Sequence, residues 1–194
     1  MPAYTKPFGF QPVNLIGGRV NAGSTREVPI SANFATKIRY GDLVTIASGV
    51  IARDTATTAF TSGGVLGVFL GCSYTDATMG KVFRQNWVAS TVASDAVAIV
   101  CDDPQMIFRV TYVSSGTTVT GLTYANAVGK NVRVYANDTS TVTSDAAVGA
   151  IATTSTLPNR VIDVDRDSWT GSLYSALLVT YNFGNHAYQQ ATGT

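Results

Sequence analysis

The chain has one histidine, His186, in Gly184-Asn185-His186-Ala187-Tyr188. An imidazole can act as a general base, but a triad also needs a nucleophile and an orienting acid. No Gly-x-Ser-x-Gly, phosphate-loop or His-Glu-x-x-His pattern accompanies it, so His186 is expected to be an exposed tail residue. Asp102-Asp103, with Glu27 or Asp95, offers the two carboxylates that glycoside hydrolysis uses. Adjacent residues on an extended segment point to opposite faces, and the expected job of this pair is a turn or cap before Pro104. Asp163-Val164-Asp165-Arg166-Asp167 has the alternating acids that open a calcium loop. Ser168 stands where that loop needs glycine and Tyr174 where it needs a bidentate glutamate, so a row of acids paired with Arg160 or Arg166 is expected instead.

Other chemistry-bearing residues are less specific. Trp87 and Trp169 have the rings that stack on sugars, although core or interface packing is the expectation. Cys72 and Cys101 match neither a zinc nor a redox spacing and read as small buried apolar side chains, with a disulfide left open. Asn137-Asp138-Thr139 fits the glycosylation rule but follows no secretion signal. Gly67 and Gly71 have the spacing of a membrane dimer motif, but outside any apolar 20-mer. No catalytic, cofactor-binding or metal-binding residue is assigned, no cofactor is expected, and the chain is not read as an enzyme.

The elements that would position these residues are strands. β-branched and aromatic residues fall in short runs separated by Gly, Asn, Asp and Ser. Leu43–Ile46 and Val50–Ala52 form a hairpin turning at Ala47-Ser48-Gly49. Val65–Leu70 is a core strand whose glycine fits a close backbone approach or a bulge. Val97–Val100, Met106–Val113, Asn131–Tyr135, Val161–Asp165 and Ala176–Tyr181 complete the set. Val132 and Val134 share a face. Thr120–Val128 is a weak helix candidate, and Thr36–Ile38 is a turn.

The expected fold is all-β: a compact β-barrel or β-sandwich, β-tulip or jelly-roll-like, with an extended N-terminal arm and little helix. Residues 1–30 form the arm, because Pro2, Pro7 and Pro12 block a helix. Residues 31–194 form the β-rich domain. A faint repeat relates Gly41–Ile46 and Gly64–Val68 to Gly129–Val134 and Ala147–Ile151, which divides that domain at about 31–113 and 114–194. The arm's Phe8, Phe10, Val13, Leu15 and Ile16 must bury somewhere. A neighbouring subunit is the favoured destination and the chain's own domain the other.

Composition narrows the partners. Of the 194 residues 45% are hydrophobic and only 13% charged, so the chain can build a core while its surface is short of charge. Thirteen basic and twelve acidic residues give a net charge of +1. That balance argues against nucleic acid, which demands a basic excess, and against a basic membrane-surface role. Weak self-repulsion suits a protein packed in an assembly. No apolar run is long enough to span a membrane and no signal peptide is evident. The chain is expected to be made in a cytoplasm and to stay there or leave by lysis.

Several stretches together resemble capsid-associated structural proteins of tailed bacteriophages. They are Gly9-Phe10-Gln11-Pro12-Val13 leading to Gly17-Gly18, then Tyr40-Gly41-Asp42-Leu43-Val44, then Gly64–Cys72, then Asn86–Ser90 and Val100–Pro104. The Gly-Asp strand, the hairpin and the later Gly-Val step also look like the small β-barrel of lambda-type head decoration proteins. This resemblance implies a virion structural protein on the capsid surface, made in the host bacterial cytoplasm. It would bind expanded shells as a homotrimer and cement neighbouring major capsid subunits against DNA pressure. The arm residues Phe8, Phe10, Val13, Leu15 and Ile16 would make the contact. A tail, fibre or receptor-binding (glycan-binding) virion protein is the alternative, with Trp87 or Trp169 on the glycan. A virion glycan hydrolase using Asp102 or Asp103 is a further rival.

Overall fold

The computed structural model describes residues 4–56, 58–60, 63–113, 122–136, 143–168 and 174–191. The described residues form β1 (Gln11–Leu15), β2 (Arg19–Val20), β3 (Arg26–Pro29), β4 (Ile38–Arg39), β5 (Leu43–Ala47), β6 (Val50–Arg53), β7 (Gly67–Asp76) and β8 (Gly80–Arg84). The chain continues through β9 (Asn86–Trp87), β10 (Val97–Cys101), β11 (Met106–Val113), β12 (Asn131–Tyr135), β13 (Ala147–Ala152), β14 (Asn159–Val164) and β15 (Ser175–Tyr181). The fold is all-β, and the sole α-helix among the described residues is α1 (Tyr124–Ala127). That helix is one turn long. Thr123 caps it and Asn126 closes a reciprocal capping box; Thr120 and Gly121 of the expected helix lie outside the described residues.

Two sheets carry the architecture. One has the order β3-β10-β7-β5-β6, with β8 paired to the far half of β7. The β5–β6 hairpin turns at Ser48-Gly49, both at positive φ (50° and 79°), the conformation a tight primed turn needs. The other sheet has the order β13-β12-β14-β15-β11-β1-β2, and β13 pairs again with β11 in parallel. That second pairing closes β11 through β15 into a five-stranded barrel, from which β1 and β2 extend. One edge of β11 is shared: Met106–Arg109 receives β1, and Tyr112-Val113 receives β13.

The buried apolar side chains gather in two clusters. Phe108, Val110, Val132, Val148, Val161, Leu177, Val179 and Tyr181 fill the barrel. Val28, Ile38, Val44, Ile51, Phe69, Tyr74, Trp87 and Ala98 fill the other cluster. Leu43, Val68 and Cys101 from the first sheet, and Val65 just ahead of β7, join the barrel's cluster, so the two layers share packing where they meet. The glycine steps of the faint repeat do similar work. A Cβ on Gly67 would stand 2.3 Å from the Cys101 carbonyl oxygen, and one on Gly149 would stand 2.3 Å from that of Val113. Each glycine lets a neighbouring backbone lie closer than any side chain permits.

The N-terminal segment is extended as expected, but it is built into its own domain. β1 pairs with β11, and β3 pairs with β10. Pro12 has no N–H to give the ladder, and the β1–β11 register shifts between Pro12 and Asn14. Phe10 is fully buried edge-to-face on Phe108, with centroids 6.0 Å apart. The preference for a neighbouring subunit is thus corrected for this residue: the free edge of β11 lies within reach and gives the arm's apolar side chains a core to enter.

Candidate functional site

The sequence-level candidates for catalysis do not converge. Asp103 accepts the Gln105 N–H at 2.8 Å and holds the turn into β11. Asp102 instead meets Arg26 Nε at 2.9 Å and accepts the Tyr188 hydroxyl at 2.5 Å. Asp95 accepts the Thr75 N–H at 3.0 Å and hydroxyl at 2.7 Å, and these bonds pull its pKa down to about 2. Glu27 is exposed on β3, opposite Ile99. Asp95, Asp102 and Asp103 thus have separate structural work.

The acidic run after β14 is a strand end and a turn. Asp163 accepts the Val164 N–H at 2.8 Å, and Asp165 lies 3.8 Å from Arg109. Arg109, a partner the sequence did not point to, is brought across the sheet by β11, and Arg160 turns to Asn131 and Asn182. Ser168 is buried, donating to the Asp165 carbonyl and accepting from Ala176 N–H, both at 2.8 Å. Among the described residues no group of three or more metal-binding side chains gathers. Trp87 is fully buried, donates to the Phe34 carbonyl at 3.1 Å and packs edge-on against Tyr74, so its ring is closed to a sugar. Trp169 and Asn137-Asp138-Thr139 lie outside the described residues. Both cysteines are buried free thiols, whose pKa burial pushes up to about 11.

His186 departs most from expectation. It is fully buried, not an exposed tail residue. The strand-like contact of Asn185–Ala187 with Val65 draws it inward, between the rings of Tyr181 and Tyr188, each 4.9 Å away.

The proposed arm residues separate into two groups. Phe10 is core and Leu15 packs against the core. Phe8 is half-buried against Tyr4, with centroids 4.8 Å apart, and the Arg109 guanidinium lies over both rings at 5.9 and 5.8 Å. Val13 and Ile16 face solvent at 39% and 42% exposure. Beyond them Val20, missed in the sequence, is 79% exposed on β2, the last strand of its sheet. The β1–β2 hairpin is held at its base by Ile16 N–H donating to the Gln105 carbonyl at 2.9 Å and by Arg19 bonding Gln105. It presents three apolar side chains and an open backbone edge. A groove of about 610 Å³ lies beside β1, floored by Pro12, Val13, Val164 and Leu178 and walled by Arg109 and Asp165. Apolar side chains are exposed elsewhere too, among them Met79 and Phe83 on the β7–β8 hairpin, Val92 and Phe183.

This geometry is anchored by a buried ionic knot where the two cores meet. Asp42 accepts Arg39 N–H at 2.9 Å and the Ser144 hydroxyl at 2.6 Å, and pairs with Arg53 Nε at 3.1 Å. Next to it Phe10 N–H donates to the Gly41 carbonyl at 2.9 Å, and Gly9 N–H donates to the Ala146 carbonyl at 3.1 Å. The knot fixes the start of β1, and with it the direction in which the hairpin projects.

The chain matches no protein-family model, no curated protein and no solved structure. No helix among the described residues is long and apolar enough to cross a membrane.

Proposed function

We propose that this chain is a virion structural protein that binds the outer surface of an expanded bacteriophage capsid and cements neighbouring major capsid subunits, acting as a homotrimer. The observation that carries this reading is the β1–β2 hairpin. Its outer strand β2 is a sheet edge with Val20 exposed on it, and Val13 on β1 and Ile16 in the turn are exposed beside it. Sheet edges of freely soluble proteins are usually blunted by charge, proline or a covering loop. The β2 edge is short and carries Arg19, but Arg19 is turned to Gln105 and Val20 beside it is exposed. Such an edge is suited to adding a strand to a neighbour, with alternate side chains entering its pockets. The low charge of the chain supports the same role, since few ion pairs are there for salt to screen. Binding only the expanded shell would stabilise that state by mass action.

The test is co-sedimentation of the purified chain with unexpanded and expanded shells of its own phage. Saturable binding to expanded shells alone, near three copies per three-fold site, is expected, with weakening on Val20→Asp. No binding to either shell overturns the reading and turns attention to tail assemblies and glycans.

A further inference from the structure

The last described stretch of chain ties the barrel to the other sheet. Val65 N–H donates to the Asn185 carbonyl at 2.7 Å, and Ala187 N–H donates to the Val65 carbonyl at 2.8 Å. One residue on, Tyr188 reaches across to Asp102 at 2.5 Å, after β10, and to Arg26 on β3, whose guanidinium also covers its ring at 5.3 Å. Between these anchors a short turn, Ala187–Gln189, is capped by His186: its Nδ1 accepts the Tyr188 N–H at 3.2 Å.

That bond fixes the chemistry of the ring. A neutral imidazole has one acceptor nitrogen and one donor nitrogen. Nδ1 is the acceptor here, so Nε2 carries the hydrogen, and a second proton can go only onto Nδ1. There it would face the Tyr188 N–H, donor against donor. We propose that the C-terminal segment is an acid-released strap: protonation of His186 at Nδ1 uncaps the turn and frees Tyr188 from Asp102 and Arg26, so residues 185–190 detach from the sheet of β3 and β10.

The groups around the ring set the direction. Tyr181 from β15 and Tyr188 face it, with Cys101, Asp102 and Asp103 from the end of β10 close by and Arg26 from β3 behind Tyr188. Burial disfavours the imidazolium and is the largest influence. The nearby backbone of Leu66 and Asp102 and the charges of Asp102 and Asp103 oppose it without overcoming it, and the pKa lies below its ordinary 6.5. The released strap therefore binds a proton more tightly than the docked one. Docking is fully favoured above about pH 6.5 and weakens as pH falls towards the docked value.

The test follows hydrogen exchange at the Ala187, Tyr188 and Gln189 amides by NMR on the full chain from pH 7.5 to 5, corrected for intrinsic rates. The chain's single histidine lets the same samples report its titration directly. Protection is expected to fall by about tenfold per pH unit below 6.5 until the docked pKa is reached. It should stay flat in His186→Asn, whose side-chain oxygen can still accept the Tyr188 N–H. Constant protection in the wild type, or an equal fall in the variant, overturns the proposal. Should the variant fail to fold, the wild-type titration decides alone: an imidazole that titrates while the strap amides stay protected overturns it as well. None of these outcomes depends on capsid binding.

Discussion

Ser144 donates a hydrogen bond to Asp42 at 2.6 Å from 102 residues along the chain, at a site where both side chains are shut off from solvent. Burial raises the Asp42 pKa, while the Ser144 hydroxyl, Arg53 and the Arg39 N–H each pull it back. Removing the hydroxyl strips a partner from a buried carboxylate, and Ser144→Ala should cost about 1.5–3 kcal/mol. Because the folded pKa is above 3.8, the contribution of Asp42 is most favourable in acid and declines as pH rises through the folded value. The lost bond favours the ionised form. Urea melts should therefore show a larger penalty at pH 7 than at pH 4, and an equal penalty at both would disprove this account.

Gly67 and Gly149 are held by space, not by backbone angle. An added methyl group meets a carbonyl oxygen at 2.3 Å in both places, and backbone cannot swing aside as a side chain tip can. Gly67→Ala and Gly149→Ala should each destabilise by about 1–3 kcal/mol or more. Thermal melts of both variants check this, and wild-type melting temperatures would show that the paired strands can spread.

Phe10 and Val20 should behave in opposite ways. Phe10→Ala empties a fully buried ring site beside Phe108 and should cost about 3–5 kcal/mol. Val20→Ser, at 79% exposure, should change stability by less than about 0.5 kcal/mol. Shell binding should respond in the reverse sense, with Val20→Ser weakening it in a fully folded chain. A Val20→Ser variant that binds normally would remove the hairpin from the contact.

Cys72 and Cys101 should be inert to thiol reagents in the native chain. With each pKa pushed up to about 11, roughly one thiol in a thousand is ionised at pH 8. Ellman's reagent should report no reactive thiol before denaturation and two afterwards. Fast native labelling of either would contradict its burial.

Local pattern made much of this molecule legible. Alternation placed Val132 and Val134 inward, the Ser48-Gly49 turn marked the β5–β6 hairpin, and Asp103 before a proline marked a turn. What escaped depends on pairing between distant segments. Nothing local says that Tyr112-Val113 accepts β13 in parallel and so closes the barrel. The pattern around Asp42 shows only the opening of a strand, since its meaning comes from Ser144 and Arg53. His186 sits among glycine and asparagine with no apolar period around it, so its burial could be seen only once Val65 had captured the flanking backbone. Val20 is an isolated apolar residue between polar ones. Its exposure follows from β2 ending a sheet, a fact of topology that the residue itself does not announce.

The pairing of β1 with β11 also orders events during synthesis. Gln11 emerges early from the ribosome, but its partner Arg109 comes far later, and β15, which completes the other side of β11, later still. At about 5–20 residues per second, the N-terminal apolar segment waits for several seconds with no sheet to join. Contacts between such distant parts of a chain also make folding slow. Nascent chains crowded on one message would thus hold Phe8, Phe10 and Leu15 uncovered at the same time. Shielding Phe8, Phe10 and Leu15 until β11 has formed would remove that exposure.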